Sequence, residues 1–389
     1  MKFVSYLLVA VIAFTAAFLI TSNDSGSKSS YDFSKIDSST EQNQQSTGFS
    51  TYYSQLTDFQ KVIYNTILPS IRDAKKEVVI SNVNAADFKR DCLTVTTAIQ
   101  YDYPEYFWFT GGYSYKIARA TFSEVGKVTF SPIYYDYVSG FFNAKDKYNQ
   151  LDNAANNIVA LAKKHSENTY EQIVFVHDYL IKNAKYDHDG LDEYYKTSHN
   201  PSCEYIFSAY GCLVNGKTVC SGYAKAFQIV MRKLGFNCSY VTGDAGEAHG
   251  WNCLYLDGEG YYVDITWDDL DLESESPTYN YAFITSSDLY KTHKVEMPFE
   301  TPVCNETKYN YFVRNGYYDE KYDFATALKI LSKQSGKSSA HIRFGSVEEL
   351  GKAYKDIITN GKMKDIPGIS NFAKYYYNED HYTLSLFRS

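Results

Sequence analysis

The sequence predicts an α+β fold whose middle part packs one amphipathic helix on an antiparallel sheet, flanked by small α+β regions at the N- and C-terminal ends. Three observations predict it. Tyr223, Ala224, Phe227, Met231 and Leu234 recur at helical spacing downstream of Cys220. Residues 249–256 and 261–267 read as strands on either side of the turn Asp257-Gly258-Glu259-Gly260. A chain of 389 residues that is 44% hydrophobic is long and apolar enough for more than one core.

Taken in order, residues 1–22 read as a membrane anchor or a signal segment. Lys2 precedes residues 3–20, which carry no charge and reach the lower limit of a membrane-spanning helix. Cleavage after Thr15-Ala16-Ala17 is the alternative to an uncleaved anchor. Either way the expected location is extracytoplasmic, membrane-anchored or secreted, with the membrane met through this segment only. Residues 23–50, rich in Ser with Asn, Gln and Asp, bury too little apolar surface to fold and read as a linker.

Residues 51–150 read as a small α+β domain. Thr57 and Gln60 have capping-box spacing, Phe59, Val62, Ile63 and Ile67 follow at helical intervals, and Pro69 is expected to end or kink that helix. Over 78–137, short aromatic and β-branched runs alternate with turn signals at Gly111-Gly112 and Gly126-Lys127.

Residues 151–304 form the central domain. Two helices are expected between 151 and 184, the second capped by Thr169 and presenting Ile173, His177, Leu180 and Ala184 on one face. His177 there reads as a buried, satisfied histidine. Residues 305–389 read as a C-terminal α/β region. Ser346 and Glu349 form a second capping box before Val347, Leu350, Tyr354 and Ile357, Asn360-Gly361 stops that helix, and 382–387 alternates like a strand.

Charge and cysteine usage exclude some functions. The net charge is −8 and no basic block occurs, which argues against nucleic acid as a partner. The seven cysteines, at 92, 203, 212, 220, 238, 253 and 304, show no CxxC pair, and no calcium-loop pattern occurs, so no metal and no cofactor are expected. An odd count leaves at least one thiol unpaired in a monomer.

The chemistry concentrates between 218 and 268. Cys220 falls on the first turn of the helix that Gly235 ends, where unpaired N–H groups and the helix dipole favour a thiolate and an oxyanion. A thiolate nucleophile needs a proton acceptor and a group to orient it. With a two-residue turn at Asp257-Gly258, His249 faces Thr266, and Asp264 is its diagonal neighbour, roughly 7 Å away on the same face. Trp251 and Trp267 read as packing residues.

The blocks Val219-Cys220-Ser221-Gly222-Tyr223-Ala224, His249-Gly250-Trp251-Asn252 and Tyr262-Val263-Asp264-Ile265-Thr266-Trp267-Asp268, in that order, resemble the bacterial transglutaminase-like superfamily. That superfamily is similar in arrangement to papain-like proteases. The resemblance covers about 151–300 and implies acyl chemistry on protein or peptide amides, with a thioester at Cys220 and a catalytic triad of Cys220, His249 and Asp264. The family's additional oxyanion donor upstream of the nucleophile has no clear match; Tyr186 is the candidate. Small and polar neighbours at Ser221, Gly222, Gly243, Gly246 and Gly250 favour an open cleft, and so hydrolysis over transfer to an amine. A cross-linking transglutaminase and a non-catalytic cell-surface binding module are the alternatives.

Overall fold

The computed structural model describes residues 51–119, 123–135, 141–196, 204–270, 276–369 and 371–388. The anchor or signal segment over 1–22, the linker over 23–50 and Cys203 lie outside the described residues. Among the described residues no helix is long and apolar enough to cross a membrane. The chain divides into two units: the described residues of Met1–Asp152, Lys196–Glu204 and Pro298–Glu300, and those of Asn153–Tyr195, Tyr205–Met297 and Thr301–Ser389.

The first unit begins with α1 (Asp58–Arg72), capped as expected. Thr57 Oγ1 accepts from Gln60 N at 3.3 Å, and Gln60 Oε1 accepts from Thr57 N at 3.0 Å. Pro69 does not end the helix, which continues to Arg72 with Phe59, Ile63, Ile67 and Ile71 buried. After β1 (Val78–Asn84) comes α2 (Ala85–Asp102), a helix the sequence pattern does not mark, opened by Asn84 Oδ1 accepting from Ala86 N and Asp87 N. β2 (Phe109–Arg119) and β3 (Val125–Tyr134) complete an antiparallel sheet of order β1-β3-β2. Gly111-Gly112 and Gly126-Lys127 are not turns; they lie inside β2 and β3. Gly111, at φ +84°, sits where the β2–β3 register shifts, so its left-handed backbone makes a bulge in place of a loop.

The division between units falls within α3 (Phe141–His165). In the second unit α4 (Thr169–Asn183) is capped by Asn168, not Thr169: Asn168 Oδ1 accepts from Tyr170 N at 2.9 Å. Ile173, His177, Leu180 and Ala184 are all buried. β4 (Lys185–Tyr186) leads through α5 (His188–Lys196) to its parallel partner β5 (Lys217–Thr218). α6 (Cys220–Leu234) follows at once and ends at Gly235, whose φ of +98° only glycine adopts freely. α6 packs on β6 (Cys238–Asp244) and β7 (Ala248–Leu256), burying Tyr223, Ala224, Phe227 and Met231. Burying each of Phe227 and Met231 stabilises by about 2 kcal/mol.

The hairpin has the expected register. A two-residue turn at Asp257-Gly258, both at positive φ, pairs Leu256 with Glu259 and Asn252 with Val263 on β8 (Glu259–Val263). The return strand is shorter than the sequence predicts, however. Asp264 Oδ1 accepts from Trp267 N at 3.2 Å and opens α7 (Ile265–Asp268), so Thr266 lies on a helical turn and not across from His249. β9 (Ala282–Ile284), α8 (Ser286–Leu289) and β10 (Lys294–Val295) complete a five-stranded antiparallel sheet of order β10-β6-β7-β8-β9.

The C-terminal part adds α9 (Tyr311–Asn315), β11 (Tyr318–Asp319), α10 (Phe324–Ser332), β12 (Ser339–Phe344), α11 (Val347–Tyr354), β13 (Phe372–Asn378) and β14 (Thr383–Arg388). Its sheet order is β11-β12-β14-β13. Only half of the second capping box forms. Ser346 Oγ accepts from Glu349 N, but the Glu349 carboxylate turns away to accept from Tyr322 N at 2.8 Å.

Candidate active site

Cys220 is the first residue of α6, with Val219 in extended conformation at the cap. The close fit there requires Gly222. A Cβ at that position would lie 1.9 Å from Thr218 Oγ1 and 2.7 Å from Ile206 O. Phe207 O accepts from Ser221 Oγ at 3.2 Å and from Lys225 Nζ at 3.0 Å, tying the same turn to the preceding segment. Burial lowers the Lys225 ammonium to about 8, while negative charge at Cys220 works the other way.

His249 lies near the start of β7, buried, opposite Gly243 of β6. Asn252 fixes that strand against the Cys220 helix, its Nδ2 donating to Ala224 O at 2.9 Å and to Ser239 O at 3.3 Å. His249 Nε2 lies 2.6 Å from Asp264 Oδ2, and Cys220 is near enough to act on the His249 ring. With Nε2 engaged by Asp264, Nδ1 is the ring nitrogen left for the thiol. The three residues expected from sequence are therefore brought together.

Electrostatics favour charged forms in spite of burial. Burial disfavours the His249 imidazolium, but the charges of Asp264 and Cys220 and the hydrogen bond to Asp264 hold it well above the usual histidine range. Burial likewise resists ionisation of Asp264. The charge of His249 and hydrogen bonds from His249 and His293 outweigh it and hold the carboxyl below the usual carboxylate range.

Tyr186 also reaches this neighbourhood. The parallel ladder pairs it with Thr218, two residues before Cys220. Burial, then negative charge at Cys220, keeps its phenol protonated well above the usual tyrosine range. Trp251 and Trp267 pack as expected, with ring centres 6.0 Å and 6.1 Å from that of His249.

Sequence reasoning missed His293. It arrives from the segment between α8 and β10, and its Nε2 lies 3.0 Å from the same Asp264 oxygen. Gly243 makes room for this segment, since a Cβ there would lie 1.9 Å from Lys294 O and 2.8 Å from Trp251 Cη2. Donor atoms of His249, Asp264 and His293 lie within 4.8 Å of one another, a spacing a cation could span. The hydrogen bonds among them already account for that spacing, and we assign them no metal.

Residues 154–265 match the model of the Transglutaminase-like superfamily, a stretch that includes Cys220, His249 and Asp264. This segment is similar to the transglutaminase-like superfamily. A mouse relative, kyphoscoliosis peptidase, is 26% identical over 125 residues; the match takes in 29% of this chain and 18% of that protein's length. Among solved structures, a crystal structure of a TGase covers 39% of this chain and 44% of its own, at 12% identity and a TM-score of 0.28. A candidate cysteine protease from Cytophaga hutchinsonii covers 39% and 62%, at 16% identity and a TM-score of 0.23. Within the matched stretch, α6 carries Cys220, β7 carries His249, and the cap of α7 supplies Asp264.

Proposed function

We propose that the protein is a cysteine enzyme acting on protein or peptide amides outside the cytoplasm, with hydrolysis favoured over transfer to an amine. The observation that carries the reading is His249 held by Asp264 at 2.6 Å, with Cys220 at a helix start acting on the same ring. The apolar residues 3–20 support the location.

Cys220 sulfur attacks the amide carbonyl carbon, and the carbonyl oxygen takes the electron pair. N–H groups of the first turn of α6 and the protonated Tyr186 hydroxyl receive that oxyanion. The C–N bond breaks as His249 gives its proton to the leaving amine, forming a thioester. His249 then takes a proton from water, which displaces Cys220 and releases a carboxylic acid. Asp264 keeps the imidazole oriented through both halves.

The test incubates the purified chain lacking residues 1–50 with glutamine-containing proteins, with and without a fluorescent primary amine. Cleaved fragments or free ammonia without label are expected. Stable amine incorporation lost in Cys220→Ala would make the protein a cross-linker. No Cys220-dependent product, and no labelling of Cys220 by a thiol-reactive amide probe, would leave a binding module.

A further inference from the structure

Asp264 Oδ2 has two imidazole neighbours, His249 Nε2 at 2.6 Å and His293 Nε2 at 3.0 Å. A carboxylate only accepts, so both nitrogens carry hydrogens. The other nitrogen of His293, Nδ1, lies 2.8 Å from Thr292 Oγ1, which lies 3.2 Å from the Tyr281 hydroxyl. His293 is buried, with ring centres of Trp267 at 4.6 Å, Trp251 at 5.0 Å and Tyr281 at 5.3 Å around it. The ring cannot swing without displacing one of these walls. Nδ1 thus meets a hydroxyl that can accept as well as donate, Thr292 Oγ1 also lying 3.4 Å from Leu289 O, while Nε2 faces an oxygen that only accepts.

We propose that His293 is a positioning residue. Its Nε2–H holds Asp264 Oδ2 where it meets His249 and draws off part of the carboxylate's charge, so that His249 releases its proton more readily to a leaving amine. This rests on the cysteine-enzyme reading above. Packing alone would fill the same space with any apolar ring, and does not explain a donor directed at the oxygen His249 uses. Other titratable groups bearing on the site are Cys220 of α6, Tyr186 of β4 with Glu247 behind it, and Tyr281 with His381 packed against its ring at 4.4 Å.

The test alkylates the full chain with iodoacetate and with iodoacetamide across pH, reading Cys220 by mass spectrometry. A positive imidazole beside the thiolate favours the anionic reagent, and that advantage vanishes as His249 loses its proton. His293→Gln keeps an N–H near the Nε2 position, and His293→Leu removes it. In His293→Leu the pH at which the advantage vanishes should rise by about one unit, while His293→Gln keeps the wild-type value. Identical profiles in wild type and His293→Leu overturn the proposal.

Should His293→Leu not fold, nitrogen NMR of the unsubstituted protein decides. A hydrogen on Nε2 of His293 is expected, and a bare Nε2 with hydrogen on Nδ1 alone overturns it. Loss of any preference for Cys220 in the wild type would remove the cysteine-enzyme reading instead, leaving the NMR result to decide whether the donor exists.

Discussion

His177 Nε2 of α4 lies 3.1 Å from Asp268 Oδ2 at the end of α7, and both side chains are buried. Asp268 Oδ1 in turn accepts from Thr278 Oγ1, Tyr279 N and Tyr281 N, each at 3.0 Å. Burial would lower His177, but hydrogen bonds and charges from Asp178 and Asp268 raise it from 6.5 to about 9. A folded value above the unfolded one gives stability that is complete below pH 6.5 and lost as pH rises through 9. The stake is about 3 kcal/mol. The difference in melting temperature between wild type and His177→Gln should shrink from pH 6 to pH 10; a constant difference would contradict a charged His177.

Asp264→Asn separates charge from shape. The amide oxygen can still accept from Trp267 N and keep α7 capped, but the amide NH2 then faces the N–H groups of His249 and His293, so stability should fall by about 1–3 kcal/mol. Without the carboxylate, His249 returns towards the usual histidine range. Turnover of an amide probe should fall roughly 100- to 10,000-fold, in keeping with the loss of an orienting carboxylate from other triads. Near-normal turnover in a folded Asp264→Asn would remove Asp264 from the site.

Gly243→Ala should act on His293 from a distance. The new Cβ meets a backbone oxygen, Lys294 O, at 1.9 Å, and backbone yields less easily than a side-chain tip. A loss of about 1–3 kcal/mol on denaturation is expected. Iodoacetate selectivity at Cys220 should shift in the direction of His293→Leu.

Cys220 should be alkylated before the other described thiols. It is half-buried, whereas Cys92, Cys212, Cys238, Cys253 and Cys304 are buried. Burial pushes Cys92, Cys212 and Cys238 up, Cys238 to about 12, and hydrogen bonding to Cys304 together with burial raises Cys253. Iodoacetamide near neutral pH followed by peptide mapping checks this. Modification of Cys92 or Cys304 ahead of Cys220 would refute the assignment.

What could be read from sequence was local or set by short-range register. The stripe from Tyr223 to Met231 marks α6, and a two-residue turn at Asp257-Gly258 fixes the pairing of β7 with β8. That was enough to bring His249 and Asp264 to one place. The end of β8 was not legible, because Asp264 spends an oxygen on Trp267 N and converts a strand-like pattern into a helical turn. His293 was not legible either. It meets Asp264 across 29 residues, in a segment without periodicity, and only the sheet order β10-β6-β7-β8-β9 brings it back. Asn168 displaced Thr169 as a cap because its side-chain oxygen reaches two N–H groups, one residue earlier.

Asp264 takes its place from later chain: its own N–H is held by Tyr281 O at 3.1 Å, and one of its carboxylate oxygens meets His293. A nascent chain that has emerged only as far as α7 already contains Cys220, His249 and Asp264, yet lacks Tyr281 and His293, which meet the Asp264 N–H and carboxylate. In the cysteine-enzyme reading, the carboxylate is seated only once residues 281–293 have been made.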